Sequence, residues 1–494
     1  MERHDSPRCE CGVFGIWAPS QVVARITYFG LYALQHRGQE SAGIAVADDE
    51  RIMVYKDMGL VSQVFNEAAL TSLTGNIAIG HTRYSTTGAS QWENAQPTFG
   101  STPWGDIALA HNGNLTNTGA LREWLATIAP LTPVPVKTRM DSTTDTAILT
   151  GLLAAQPGPV DQAIQAVLPR LDGAFSLVFL TTDALYAARD RHGMRPLCLG
   201  RMDGGWVVAS ETAALDIVGA DFVRDVEPGE AIRIDADGVT SIRFAKPEPR
   251  GCVFEYVYLS RPDSVLEGRM IHNVRVKIGM LLAKECPVRA DLVIPVPDSG
   301  TPAAIGYAAG SGIQYGQGLV KNAYVGRTFI QPSQHLRQLG IRLKLNPLKR
   351  VVAGKRIVVV DDSIVRGNTQ QQVVAMLRQA GAAEVHVRIS SPPVRWPCFY
   401  GIDFADPEEL IATHMDVDEI ARAIGADSLG YISLDSLIAA THQEPENLCC
   451  ACFDGKYVVT APPGDARRLG LPESGLGQAT YKKGLVVRAA STHD

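Results

Sequence analysis

The sequence predicts two linked parts of different class. The first is an α+β part of antiparallel sheets layered with helices. The second is an α/β part around a mainly parallel sheet. Three observations carry this. The chain has 494 residues, too many for one ordinary domain. Its first half is dense in short apolar runs broken by polar turns. After residue 250 the pattern changes to strand–helix alternation, the signature of parallel sheets.

Behind a polar leader, residues 1–10, CGVFGIW reads as a strand. SQVVARITYFGLYALQHRG predicts a helix with Val22, Val23, Ile26, Phe29 and Leu34 on its apolar face, stopping at Gly38. SAGIAVADDERIMVYKDMG predicts two strands around an ADDE turn. NIAIGHTRYST, IALAHNGNL, AFSLVFLTT, ALYAARD and PLCLGRMDGGWVVASE continue the strand pattern, the last with a DGG hairpin. STTDTAILTGLLAA predicts a helix with Ser, Thr and Asp as capping options. The charged, Pro-containing FAKPEPRG, residues 244–251, marks a boundary. Beyond it GRMIHNVRVKIGMLLAKEC, TPAAIGYAAG and NTQQQVVAMLRQAGA are predicted helices, and ADLVIPVPDSG and KRIVVVDDSIVRG predicted strands. The expected units are 11–245 and 250–460, between the leader 1–10 and a tail 461–494 whose Pro/Gly content reads as loose. There is no internal repeat.

With 46 Lys and Arg against 52 Asp and Glu, the formal charge is −6, which argues against nonspecific nucleic-acid binding. No apolar run reaches membrane-span length, and MERHDSPRCE lacks the apolar core of a secretory signal, so a cytoplasmic enzyme without membrane contact is expected. Nine cysteines, an odd number in a long chain, point to reduced thiols, some used for metal or catalysis.

RIVVVDDSIVRGNT, residues 356–369, is the strongest single motif. A β-branched run ends in Asp361 and Asp362, and a loop with Gly367 opens a helix. Backbone N–H groups there can cradle phosphate, and the carboxylates can bind sugar hydroxyls or a hard cation. No Lys follows the glycine, so it is not a Walker A loop. A buried strand ending in two solvated aspartates is the bland alternative. In NLCCACF, Cys449 and Cys452 have C-x-x-C spacing, which alone fits zinc, a redox pair or chance. Singly, His36, His81 and His111 read as structural histidines and Arg83 as a surface charge.

The RIVVVDDSIVRGNT stretch resembles the phosphoribosyl-diphosphate (PRPP) motif of type I phosphoribosyltransferases. The resemblance implies Asp361 and Asp362 at the ribose hydroxyls and Mg²⁺, with Ser363, Val365, Arg366, Gly367, Asn368 and Thr369 around the 5′-phosphate. VIPVPDSGTPAA resembles the pyrophosphate-side loop, with Ser299 near the metal. KNAYVGRTFIQPSQ and GIRLKLNPLK resemble the flexible loop over PRPP, with Arg342 and Lys344 meeting the diphosphate. Asn368 stands where relatives often carry Thr; its amide still hydrogen-bonds phosphate.

CGVFGIW, LQHRGQESAG, GHTRYSTTG, HNGNL and DSTTDTAIL, in that order, resemble the glutaminase domain of class II, N-terminal-nucleophile amidotransferases. Loss of residues 1–10 would make Cys11 the N-terminus, and its α-amine, with a reference pKa of about 7.7–8.0, would be the base. The resemblance implies Asn112 and Gly113 as oxyanion donors, Arg83 on the glutamine carboxylate, Asp145 on its α-ammonium, and Arg37 in the wall beside Cys11. RDRHGMRPLCLG, ASETAALDIVGA and RDVEPGE extend the match to the glutamine PRPP amidotransferase family, from about Cys11 past Tyr457. That implies glutamine hydrolysis in one unit and attack of the ammonia on PRPP in the other, giving 5-phosphoribosylamine and pyrophosphate, the first committed step of purine synthesis. Cys252, Cys398, Cys449 and Cys452 match the ligands of members with a [4Fe–4S] cluster, structural or oxygen-sensing, with Zn²⁺ the alternative. Cys450 is an extra thiol, and Cys198 and Cys286 read as packing residues. A homotetramer and inhibition by purine nucleotides are also implied. Rival readings change the acceptor, as in glucosamine-phosphate, asparagine or glutamate synthases, or make the chain a PRPP-sensing regulator. The PRPP-like loop argues against the first, and the glutaminase-like residues against the second.

Overall fold

Residues 11–48, 50–84, 91–102, 104–131, 144–322, 345–402, 407–471 and 476–479 are described by the computed structural model. The leader with Cys9, the loop residues Arg342 and Lys344, and the end of the tail lie outside them.

The first half is two antiparallel sheets face to face. One contains β1 (Gly12–Trp17), β2 (Ser41–Ala47), β3 (Ile52–Met58), β4 (Ile77–Arg83), β9 (Cys198–Met202), β10 (Gly205–Ala209) and β11 (Asp221–Asp225), in the order β11-β9-β10-β1-β4-β2-β3. The other contains β5 (Thr98–Thr102), β6 (Gly105–Leu115), β7 (Gly173–Leu180), β8 (Leu185–Arg189), β12 (Glu230–Asp235) and β13 (Gly238–Arg243), in the order β13-β12-β8-β7-β6-β5. Strand side chains alternate between faces. Accordingly Val13 packs between the sheets with Ile79, Val178 and Ile232, while Phe14 and Ile16 turn outward onto helix α1 (Val23–Ala33). Helix α2 (Asp145–Ala154) covers the outer face of the second sheet. Each fully buried large apolar side chain contributes about 1.5–3 kcal/mol.

One expected face is corrected. Val22 and Phe29 are exposed, at 60% and 53%, not core. The helix docks through Val23, Ala24, Thr27, Gly30 and Leu31, and a Cβ on Gly30 would lie 2.4 Å from the Phe14 ring, so the close approach requires glycine there.

The second half holds a parallel sheet of β15 (Leu292–Pro295), β16 (Arg356–Asp361), β17 (Glu384–Ile389) and β18 (Ser428–Tyr431), in that order. Helices α3 (Ile271–Glu285) and α4 (Thr301–Ser311) pack so tightly that a Cβ on Gly279 would fall 1.9 Å from the Ala303 carbonyl oxygen. Helix α5 (Asn368–Gln379) follows β16. The boundary stretch is strapped to the first half: the Glu248 and Arg250 N–H groups donate to the Arg191 and His192 carbonyls, at 2.8 and 2.7 Å. The segment read as loose is also corrected. Helix α6 (Pro463–Arg468) forms, and Ala466, Leu469 and Leu471 pack with Tyr400 and Tyr457, because apolar residues spaced among the Pro and Gly find a buried face. Among the described residues no helix is long and apolar enough to cross a membrane.

Candidate active sites

Cys11 lies at the mouth of β1, buried, between β4 and β10. The Tyr84 N–H donates to its sulfur at 3.5 Å. Burial pushes the thiol up to about 11, against the pull of Arg83. At neutral pH it is protonated and needs a base in contact. Arg83, at the end of β4, donates to Glu40 at 2.5 Å, and both act electrostatically on Cys11. Asp145 opens α2, capped by the Thr144 hydroxyl. Burial opposes its ionisation, but His111 and the Leu115 and Thr146 N–H groups win and hold the carboxyl below its usual range. It also acts on Cys11. Arg37 donates through Nε to the Cys11 carbonyl at 3.3 Å.

Asn112 and Gly113 sit on β6. The Asn112 side chain is fully buried, and neither Nδ2 nor Oδ1 has a partner among the described residues. Leaving such groups unmade costs about 1–3 kcal/mol each, so a purely structural role is disfavoured. Gly113 has φ +139°, and a Cβ there would lie 2.0 Å from the Ala174 carbonyl oxygen. His36, His81 and His111 are structural: His36 bonds Glu211, His81 bonds the His111 carbonyl, and His111 bonds the Ala174 carbonyl. Arg83, expected to be unremarkable alone, is buried.

Parallel pairing of Pro295 with Val360 sets the ends of β15 and β16 side by side. This brings Ser299 to Asp362, which accepts from the Ser299 and Ser363 hydroxyls. Burial raises the Asp362 carboxyl, while those hydroxyls and Arg275 oppose the rise. Gln370 of α5 donates to Asp361. The Asp362 N–H donates to Asp361 at 2.9 Å. Val365 accepts from the Ile411 N–H at 2.9 Å, and Arg366 pairs with Glu409. Gly367, at φ +87°, caps α5 without a side-chain bond, and Asn368 and Thr369 begin the helix. Ser299 and the two aspartates form a hard-oxygen set of the size Mg²⁺ uses when phosphates complete its shell.

The short parallel pair β14 (Gly251–Cys252) and β19 (Leu448–Cys449) puts Cys252 opposite Cys449. Cys398 and Cys452 act electrostatically on the same group. Burial raises Cys252 to about 11 and Cys449 and Cys452 well above the usual thiol range. The Tyr400 N–H donates to the Cys398 sulfur at 3.4 Å. Four thiols from three segments, three of them raised by burial, suit a soft metal centre, which would hold them as thiolates. As they stand, no three His, Cys, Asp or Glu among the described residues converge on one ion. Cys450 is buried beside them. Cys198 is buried as expected; Cys286 is only partly so, its sulfur bonded to the Tyr431 carbonyl.

Sequence reasoning missed Glu40, Glu211, Glu255, Arg195 and Gln370. Only Gln370, one turn into a helix behind the two aspartates, had a positional signal. Glu255 lies in the second half yet bonds Arg37 at 2.8 Å and faces Arg195 at 3.6 Å. Arg195 in turn donates to the Tyr400 carbonyl at 2.6 Å, and Asn114 to the Phe399 carbonyl at 2.8 Å. A Cβ on Gly401 would lie 3.4 Å from Gly113 Cα, so the 398–402 loop packs against the Asn112–Gly113 strand.

A double-sheet domain with a buried cysteine at the mouth of its first strand, joined to a parallel-sheet domain with a two-aspartate loop, fits a glutamine amidotransferase coupled to a second transferase domain. Residues 81–216 match the family described as "Glutamine amidotransferase domain". Amidophosphoribosyltransferase from Mycobacterium tuberculosis is 62% identical over 469 residues, 93% of this chain and 88% of that one. The Bacillus subtilis enzyme of that name is 47% identical over 455 residues, 91% of this chain and 94% of that one. The solved B. subtilis glutamine PRPP amidotransferase, complexed with ADP and GMP, matches with a TM-score of 0.84 and 46% identity, over 91% of this chain and 97% of that one. The chain belongs to the amidophosphoribosyltransferase family.

Proposed function

We propose a residue-by-residue division of labour for the reaction this family membership carries: glutamine-dependent amidotransfer to PRPP in purine biosynthesis. Cys11 is the nucleophile of unit 11–245. Removal of residues 1–10 frees its α-amine, which takes the thiol proton as sulfur attacks the glutamine amide carbon. The Asn112 side chain and the Gly113 N–H stabilise the oxyanion. Arg83 and Asp145 hold the substrate carboxylate and α-ammonium, and Arg37 fixes the Cys11 backbone. The α-ammonium of Cys11 returns its proton to the leaving ammonia, and water then hydrolyses the thioester to glutamate. Ammonia crosses, shielded from water, to unit 250–460 and attacks the anomeric carbon of PRPP, displacing pyrophosphate.

In that unit Asp361 and Asp362 bind the ribose hydroxyls, and residues 363–369 the 5′-phosphate. Arg342 and Lys344 are proposed to meet the diphosphate. Ser299, Asp361 and Asp362 would hold one Mg²⁺, which supplies charge neutralisation at the diphosphate. Cys252, Cys398, Cys449 and Cys452 would hold a [4Fe–4S] cluster or, alternatively, Zn²⁺; the chemistry supplied is structural or oxygen-sensing. We place the enzyme in the cytoplasm as a homotetramer inhibited by purine nucleotides, in line with the ADP and GMP on the B. subtilis relative.

The observation that carries the reading is the buried, unpartnered Asn112 amide on a strand whose neighbours orient Asp145. The test is intact mass of the active enzyme together with Cys11→Ala. The mature chain is expected to begin at Cys11, and Cys11→Ala to lose glutamine-dependent but keep ammonia-dependent product formation. Unchanged glutamate release by the variant would refute the assignment. Iron, sulfide and zinc content after anaerobic purification decides the metal.

A further inference from the structure

A cavity of about 210 Å³ lies between the halves, and none of the residues assigned above to glutamine or PRPP lines it. Four carboxylates stand on its wall. Glu255 is matched by Arg37 and Glu227 by Arg243. Asp225 and Glu267 remain, and Arg189 serves both. It donates to Glu267 at 3.2 Å. It also donates to the Gly193, Arg195 and Val226 carbonyls, at 2.8, 2.8 and 3.0 Å, which fixes it in place. Arg224, next to Asp225, is spent on Glu230 through two bonds of 2.8 Å. His192, on the same wall, is turned to the Glu248 carbonyl at 2.8 Å. One fixed guanidinium therefore stands between two carboxylates that face the cavity.

A third acceptor faces the same space. Tyr256, in the π-helical turn Glu255–Leu259, is 1% exposed, yet its hydroxyl makes no hydrogen bond among the described residues. Glu267, Arg189 and Asp225 all act on that hydroxyl, as does Gln443, which also lines the cavity. A buried hydroxyl left this way calls for a bound partner. Glu267 itself sits at φ +47° in the two-residue turn between Val265–Leu266 and Arg269–Met270. Such turns prefer Asn, Asp or Gly, so the glutamate is held there against its backbone preference. Burial pushes Asp225 up to about 6, with Glu267 adding to the rise and Arg189 and Arg224 opposing it.

We propose that this cavity binds a small aliphatic amine in its ammonium form, held by Asp225, Glu267 and the Tyr256 hydroxyl oxygen. An ammonium carries three donors and no acceptor, which matches three acceptors around one space. A metal ion fits less well, since no three His, Cys, Asp or Glu among the described residues converge on one. The rest of the wall suits a carbon stem: Met194, Pro196, Val226 and Leu266 line it. At about 30 Å³ per water, the volume equals about seven waters, room for a short chain behind the charged head. The bound ammonium supplies the second cation that the two carboxylates share.

The test uses the full-length enzyme with n-butylammonium chloride as the probe. Tetramethylammonium chloride, of equal charge but without an N–H, is the control. Titration calorimetry and melting temperature are read near neutral pH. The probe is expected to bind saturably and to raise the melting temperature, and the control at the same ionic strength to do neither. Asp225→Asn and Glu267→Gln each remove one charged acceptor and should weaken binding about tenfold or more, while leaving the rates without amine unchanged. Acidification through about pH 6 should weaken binding to the unsubstituted enzyme, because Asp225 takes up a proton, but not to Asp225→Asn. Absence of saturable binding would overturn the proposal. So would an equal response to tetramethylammonium, which marks a general salt effect, or native affinity in both folded variants.

Discussion

Asn112→Leu separates function from stability at one position. The native amide is buried with both polar atoms unpartnered among the described residues. Each unmade bond costs the fold about 1–3 kcal/mol. Leucine keeps the branched shape without a polar atom but is larger, and overpacking at a buried position costs about 1–3 kcal/mol. The variant should therefore be more stable than the native chain, by about 1 kcal/mol after that offset. In a domain of this size that is a rise of about 2–4 °C in melting temperature. Activity should move the opposite way. Losing one oxyanion donor lowers kcat about 100- to 1,000-fold. Ammonia-dependent product formation, which does not use this donor, should be unchanged. Calorimetry with a glutamate-release assay reads both. Glutamine hydrolysis within threefold of native would refute the role, and a fall in stability together with activity would refute the unpartnered amide.

Gly113→Ala adds a Cβ 2.0 Å from the Ala174 carbonyl at a φ of +139°. It should cost about 1–3 kcal/mol in a denaturant titration and lower glutamine hydrolysis, in contrast to Asn112→Leu. Gln370→Leu releases Asp361 from its side-chain donor. It should raise the KM for PRPP and the Mg²⁺ needed for half-maximal rate, in an ammonia-dependent assay. Burial pushes Asp225 up to about 6, with Arg189 opposing and Glu267 adding to the rise. A carboxyl raised in the folded state destabilises it increasingly from about pH 4, the unfolded value, to pH 6 and fully above that. Asp225→Asn should therefore be more stable than native at pH 7.5, with the difference vanishing near pH 4, as melting curves at the two pH values will show.

Much of this was legible because local chemistry and global fold agree. The ADDE turn between β2 and β3 announces a hairpin, and the apolar run into Asp361 and Asp362 announces a parallel strand with a site at its end. Cys11, Asn112 and Asp145 are legible only as a set, since they lie up to 134 positions apart in the chain (145 − 11). Glu255 was invisible for a related reason. Its partners Arg37 and Arg195 lie in the other half, and no period or spacing links an ion pair across 218 residues. The α1 face was misread because periodicity ranks residues by apolarity, whereas tight docking on Phe14 rewards the absence of a side chain at Gly30.

The β14–β19 pair also sets an order of assembly. Cys252 cannot meet Cys449 until almost the whole chain has left the ribosome, whereas strands β1 to β13 are complete by Arg243. Domains fold as units during synthesis, the N-terminal one first. The loop from Cys398 to Ile402 that lies on the Asn112–Gly113 strand is therefore among the last pieces to arrive. A nascent chain therefore carries Cys11 and the Asn112–Gly113 strand long before the loop that packs on that strand has been made.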